Sequence, residues 1–515
     1  MRTRRLFTAH RAQIAVKNPS VSLRDTQRQH NNEGMTPHSA FEQLNRVAGI
    51  APLALPQFEG GEAVVPTPFR AATAAAASLG LAAAAAAEIW RFRGGEKQAI
   101  AVDLGAAAAS LVAHRLLRRN GAPVQPYTHD PRTTGFFHTA DGRWIYLHGG
   151  FPHLVRGTLE LLNAKNDEGS VVEGVAKWQS LALEDAMAFL GLTGAVARSE
   201  EEWKGSVAGR MVGPPIVLKK VGNAPPARLK DGVSPLAGFH VLDLTRVIAG
   251  PAATRVLAAH GAEVLAVRAE QSPVIRELDF VSMAGKRQTH LDLTKPADAE
   301  TLRALARNAD IFVDSYRPGA LAGLGFSPAS LAHISPGMIY VSISAYGLEG
   351  PWASRRGWEE VIEAATGLAM EQGAFMAPRR SHARDALPEL IPAAVCDYVT
   401  GYLAAAGALA AVLKRIREGG SWLVATSLAA TAEWLRSLGR IDAGAVPEGW
   451  EPRAGLDQYL EICETKDGRF ELLGPVVRMS KTPPIMSSPP DHVAPPRWAS
   501  VHEEANAAEI QPAQA

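Results

Sequence analysis

The 515-residue chain holds only two cysteines, Cys396 and Cys463. That is too few for a disulfide framework or a cysteine-ligated metal site, and a reducing, cytoplasmic compartment is the expectation. Net charge is nearly absent as well. With 53 basic residues against 52 acidic ones, no overall field recruits nucleic acid or an anionic membrane. Long hydrophobic runs are missing, with one exception: the alanine-rich stretch from Ala71 to Ala87, bracketed by Arg70 and Glu88. Its small side chains suit a buried helix better than a membrane span. No His, Cys or carboxylate cluster has the spacing of metal ligands, so no metal is expected. What is present, 47% hydrophobic and 20% charged residues, is the composition of a globular protein long enough for two or three domains.

The first 34 residues are rich in arginine and poor in acid, which fits either a transit peptide or a translation start at Met35. Residues 1–60 read as a partly disordered N-terminal extension. From about Met479 the chain is rich in Pro, Ser and Ala, and 479–515 reads as a disordered tail.

Between these ends lies a partial internal duplication. PFRAATAAAASLGLAAAAAAEIWRFRGGE from Pro68 is echoed by PAAVCDYVTGYLAAAGALAAVLKRIREGG from Pro392. Arg91, Arg93, Gly95, Ala101 and Leu104 match Arg415, Arg417, Gly419, Ala425 and Leu428 at one fixed offset. Alanine-rich helices match by chance, but the sequel does not. Each copy continues through a basic Gly turn, a short apolar strand and another helix to a hairpin at DGR, TADGRWIYL from Thr139 and TKDGRFELL from Thr465. Where the later copy has Asp397 the earlier one has Thr73.

From Leu236 apolar runs of four to six residues alternate with amphipathic helices: FHVLDL, GPAATRVLAAHG, AEVLAVRAE, THLDL, ADAETLRALARN, ADIFVDSY and GMIYVSIS. This pattern predicts a Rossmann-like, doubly wound parallel sheet. Ligands in such folds sit beyond the carboxyl ends of the strands, which makes DLTRVIAGP, DSYRPG and SAYGLEGP the loops to watch. The first turn, LTRVIAGPAAT, lacks the spaced glycines of a dinucleotide site.

LAGFHVLDLTRVIAGPAATRVLAAHGAEVLAVRAE, GKRQTHLDL, ADIFVDSYRPGALAGLGF, SISAYGLEGP, GWEEVIEAATG and Asp397 with its helix, in that order, resemble the class III CoA-transferase family (CaiB/BaiF type), which includes formyl-CoA transferases and α-methylacyl-CoA racemases. The resemblance covers about Leu236 to Gly439, and more loosely Pro68 to Leu236. It implies an α/β fold of a Rossmann-like large domain and a smaller α/β domain, with two chains interlocked. Residues 61–232 then read as the degenerate back part of such a transferase, small domain included, and 233–478 as the Rossmann-like domain with the catalytic aspartate. It implies, too, that Asp397 is a nucleophile that attacks an acyl-CoA thioester and passes CoA to a carboxylic acid, with the CoA thioester as substrate and no separate cofactor. From the residues alone, Asp397 is either a helix N-cap or a carboxylate kept ionised by the helix N-terminus.

Val247, Ala249, Arg317, Lys286, Arg287 and Tyr346 are the candidate CoA-binding residues. Glu359 is a candidate second acid, with a solvated helix face as the alternative for it and Glu363. Trp358 and Glu359 occupy the place of the racemases' His and Asp pair, which disfavours racemization because tryptophan moves no proton. Gly323 stands where relatives often carry an arginine, and a glycine-rich flap over the aspartate is lacking. His148, in HGG, reads as a strand-end residue. These departures favour, as the alternative to a transferase, a non-catalytic CoA-ester-binding pseudoenzyme. The partners expected are an acyl-CoA, a carboxylic acid, and either a second copy or an intact transferase.

Overall fold

The computed structural model describes residues 34–124, 130–229, 231–379, 387–487, 489 and 492–499. The transit-peptide or start-site reading of residues 1–33 lies outside the described residues. The centre is a seven-stranded sheet of β1 (Val217–Gly222), β2 (His240–Leu244), β3 (Glu263–Arg268), β4 (Arg287–His290), β5 (Ile311–Asp314), β6 (Ile339–Ser344) and β7 (Ser421–Ser427), in the order β4-β3-β2-β5-β6-β7-β1. All neighbours are parallel except β7 and β1. The chain order reverses between β2 and β5, so a crevice opens beyond their carboxyl ends.

Both faces of the sheet are buried, as its near-continuous apolar strands require. Val241, Val264, Ile311 and Val341 pack on one side with α2 (Ala249–Ala259) and α4 (Val395–Glu418). Leu242, Leu265, Phe312 and Tyr340 pack on the other with Leu302 and Leu331 of the helices Pro296–Ala306 and Pro328–Ile334.

The alanine-rich segment forms α1 (Ala71–Phe92), and it packs directly on α4. Both helices are long and apolar enough to cross a membrane, yet both are enclosed in the core. Their carboxyl ends converge: the guanidinium groups of Arg93 and Arg415 lie 5.9 and 5.2 Å from the Phe239 ring. The elements that follow also correspond. A strand at Ile100–Asp103 leads into a helix capped by the Asp103 side chain, while β7 leads into a helix capped by Ser427.

The expected boundary at 232/233 is not a structural one. β1 completes the central sheet, Arg118–Arg119 pairs with the hairpin strand Gly468–Leu473, and Val477–Met479 pairs with Ile100–Asp103. A smaller lobe comprises the antiparallel strands Gly135–His138, Trp144–Leu147 and Gly194–Val196 with three helices and their own apolar core. Of the expected disordered tail, 479–515, residues 488, 490–491 and 500–515 lie outside the described residues. Its described residues are extended but tethered: Ile485 N–H donates to the Ala259 carbonyl at 2.9 Å, Ala494 N–H donates to Gln288 at 2.6 Å, and Trp498 stacks on His240 with centroids 4.3 Å apart. Each bond supplies a partner to backbone that otherwise needs water.

One glycine sets how closely α2 and α4 approach. A β-carbon on Gly401 would stand 2.4 Å from the Ala249 carbonyl oxygen. Gly401→Ala is therefore expected to cost about 1–3 kcal/mol by overpacking, despite its better helix propensity, and to lower the thermal unfolding midpoint. An unchanged or raised midpoint would show that the helices have room.

Candidate active site

Asp397 is the third residue of α4, and Ala394 is its N-cap, so Asp397 does not cap the helix. The free N–H groups of that end are taken by another residue. The Glu359 carboxylate, from α3 (Glu359–Thr366), accepts from Cys396 N–H at 2.9 Å and from Asp397 N–H at 2.6 Å. Its neighbour Glu363 accepts from Ile391 N–H at 2.8 Å. Both glutamates are buried, contrary to a solvated helix face. Burial raises the Glu359 carboxyl to about 7 and raises Glu363 too.

Asp397 is 8% exposed. Burial, and then the charges of Glu359 and Glu360, push its carboxyl well above the usual range. The expectation of a carboxylate kept ionised by the helix N-terminus is thus reversed, because Glu359 already occupies the positive end.

The same device stands at α1. The Glu62 carboxylate accepts from Ala72 N–H at 3.1 Å and from Thr73 N–H at 2.8 Å, and burial raises it to about 7. Each long helix thus has its second and third N–H groups held by a glutamate, and only α4 presents a carboxylate at the third position.

Asp397 lies in a cleft of about 380 Å³ built from the loops beyond β2, β5 and β6. Val247 and Ala249 line it, as do Arg317, Trp358 and Phe151. Val247 has φ +73°, a left-handed conformation that a β-branched residue adopts only when its surroundings impose it, at a cost of about 1–3 kcal/mol. This bend turns the chain from β2 into α2 beside Asp397. Three arginines, Arg246, Arg317 and Arg356, share the cleft, and none meets a carboxylate within 4 Å among the described residues. Arg317 and Arg246 repel Arg356, which burial already destabilises in its charged form. Arg355, also in the lining, is neutralised by Asp185 at 2.6 Å and Glu184 at 3.4 Å.

Three expected CoA-binding residues lie elsewhere. Lys286 is buried beneath the turn into α2, donating to Asp243 at 3.0 Å, the Pro251 carbonyl at 2.9 Å and Thr254 at 2.7 Å. Burial lowers it to about 8, and its role is to hold this turn. Arg287 sits on edge strand β4, paired with Glu263 at 2.6 Å. Tyr346 is buried against Trp203 and Trp352. Glu359 is beside Asp397 but works through the backbone of α4. Gly323 is in an exposed turn and is not in the cleft lining, although Pro318 and Ala320 just before it are.

Several neighbours escape the sequence reading. His148 does follow a strand, but its ring stacks on Trp358 at 4.3 Å, with Nε2 3.4 Å from Glu360. His114, from the segment that follows α1, reaches the Tyr398 hydroxyl at 3.2 Å, and burial followed by Arg115 lowers it to about 4. Arg246 and Arg356 were open to inspection, one within DLTRVIAGP and the other in ASRRGW just after SAYGLEGP.

Residues 236–473 match the model of CoA-transferase family III. Over this stretch the chain is similar to that family. An acyl-CoA transferase of Gibberella moniliformis is 33% identical over 324 residues, 58% of this chain and 56% of the relative. The acetyl-coenzyme A transferase nodX of Hypoxylon pulicicidum is 32% identical over 339 residues, 60% of this chain and 55% of the relative. A Mycobacterium tuberculosis protein of solved structure is 32% identical, with a TM-score of 0.36 over 40% of this chain and 56% of that one. The chain spans about half the length of the relatives it matches. The family III match covers the cleft loops, α3 and α4, whereas Glu62, Thr73 and His114 lie before it.

Two pH effects are expected. Glu359→Gln removes one of the charges that oppose ionisation of Asp397, so Asp397 should lose its proton at lower pH, read from its carboxyl ¹³C shift; an upward move would contradict the assignment. For Glu62, a carboxyl raised from 4.5 to about 7 contributes stability below 4.5 that is lost as pH rises through 7. Glu62→Gln should therefore gain on the wild type in urea unfolding between pH 4.5 and 7.5. A pH-independent difference would contradict the buried position.

Proposed function

We propose that this chain is an acyl-CoA:carboxylate CoA-transferase in which Asp397 is the covalent nucleophile. The observation that carries this reading is the single cleft holding both Asp397 and three unneutralised arginines, Arg246, Arg317 and Arg356. Guanidinium groups without acidic partners suit the phosphates of CoA, and a carboxylate in the same cleft supplies an attacking oxygen. The family III match and the transferase names of the relatives support the reaction class.

In this account an Asp397 oxygen attacks the thioester carbon, the carbon–sulfur bond breaks, and CoA leaves as thiolate from an aspartyl–acyl anhydride. The thiolate attacks the aspartyl carbonyl and releases the donor acid as carboxylate. The acceptor's carboxylate then attacks the aspartyl thioester, again freeing CoA thiolate. That thiolate takes the acceptor acyl group and restores Asp397. No net proton is transferred, and the covalent route divides one exchange into easier steps. The attacking form of Asp397 is the anion, so its raised carboxyl makes the rate climb with pH above the ordinary carboxylate range. Burial that disfavours this anion also strips it of water, which makes it more reactive once formed.

We read the α1 series as a partial duplicate of the α4 series that has become scaffold. Thr73 stands in the position of Asp397, and a hydroxyl there does not complete the anhydride and thioester exchange.

Transfer between acyl-CoA esters and carboxylic acids is the test. Asp397→Asn should lower kcat by at least a thousandfold with CoA-ester affinity nearly intact. Arg246→Ala and Arg356→Ala should each weaken CoA-ester binding about tenfold, more strongly at low salt. Folded protein that binds CoA esters and transfers none would favour the non-catalytic partner instead.

A further inference from the structure

Beside the cleft lies a second, mostly apolar chamber of about 80 Å³, between α1, α2 and α4. Val247 and Ile248 line both spaces, and the chamber wall includes Tyr398, the residue after Asp397. Leu79, Ala82, Ala252 and Val256 make much of it apolar. Its volume suits a short carbon chain.

One residue does not belong to an apolar wall. Arg255 of α2 is half-buried, and it lines this chamber. Its guanidinium donates to the Leu473 carbonyl and lies against the Met486 sulfur, at 3.2 Å from Nε. No carboxylate comes within 4 Å of it among the described residues. Glu461 attracts it from further away without forming an ion pair, and burial disfavours its charged form. The hydroxyl of Tyr398 is engaged by His114, and that of Tyr402 donates to Ser110 Oγ at 2.8 Å. A cation held in such a place without a partner anion is costly, and a ligand that brings a carboxylate repays it.

We propose that the chamber receives the acid portion of the substrates and that Arg255 selects short dicarboxylic acids by binding the carboxylate remote from the reacting carbon. The proposal rests on the transferase reading. Donor acyl group and acceptor acid react in turn at Asp397, so both pass through the same space, and one arginine can select both. α2 begins at the cleft loop and carries Arg255 into the chamber, which fixes the distance between the two charged points.

Glutarate and valerate, equal in carbon count, are the probes, used with the full chain in titration calorimetry and as acceptors in the transfer assay. The wild type should bind glutarate at least tenfold more tightly than valerate. Arg255→Leu should erase that preference, raising KM for glutarate at least tenfold with kcat changed less than threefold, and Arg255→Lys should restore part of it. Equal binding of the two acids by the wild type, or a preference that survives in Arg255→Leu, would overturn the proposal and leave Arg255 as a clamp on Leu473. If Arg255→Leu does not fold, the wild-type preference and the Arg255→Lys variant decide. Arg255-dependent glutarate binding without transfer would sink the transferase reading alone, whereas transfer confined to monocarboxylic acids would sink this proposal alone.

Discussion

The site depends on one buried carboxylate, that of Glu359, at the amino end of α4. By accepting from the Cys396 and Asp397 N–H groups it fixes where the helix starts and therefore where Asp397 points. The same charge opposes ionisation of Asp397. Positioning and tuning of Asp397 thus come from a single group. Around it the structure supplies what a buried acid needs: backbone donors on one side, Glu363 on the other, and an apolar helix pair behind. Helix ends leave unsatisfied donors that some acceptor must meet. Here the acceptor is a titrating side chain from another helix, which ties the start of α4 to protonation.

The wider architecture gathers a buried acid and several cations into one cleft. Asp397 sits among glutamates, whereas Arg246, Arg317 and Arg356 line the same cleft without acidic partners among the described residues. The sheet places them together, since their loops leave the carboxyl ends of β2, β5 and β6 or follow closely upon them. The strained backbone at Val247 and the buried Lys286–Asp243 pair hold the turn between β2 and α2, the element shared by cleft and chamber. Substrate phosphates and carboxylates would complete ion pairs that the folded chain leaves open.

Much of this was legible in the sequence, for physical reasons. Apolar runs alternating with amphipathic helices lead to the parallel sheet, and the loops DLTRVIAGP and DSYRPG do form the cleft, bringing Val247, Ala249 and Arg317 to Asp397. A charge in a loop, however, says nothing about which way it points. Lys286 and Arg287 adjoin in sequence, yet one turns under α2 and the other along the sheet edge. Glu359 was a candidate second acid from the sequence, but the hold that it and Glu62 have on the helix ends was hidden by distance, because Glu62 lies 11 residues before Thr73 and Glu359 lies 38 before Asp397. No fixed offset aligns them, though they do the same work. Nor does composition show that a Pro-rich tail finds backbone partners on the sheet.

The central claim is that Asp397 becomes covalently acylated. The full chain, incubated with a mixture of acyl-CoA esters and quenched with hydroxylamine, should carry a hydroxamate on the peptide containing Asp397, detected by mass spectrometry and absent without acyl-CoA. An unmodified Asp397 in folded protein that binds CoA esters and moves CoA between acids would contradict the account.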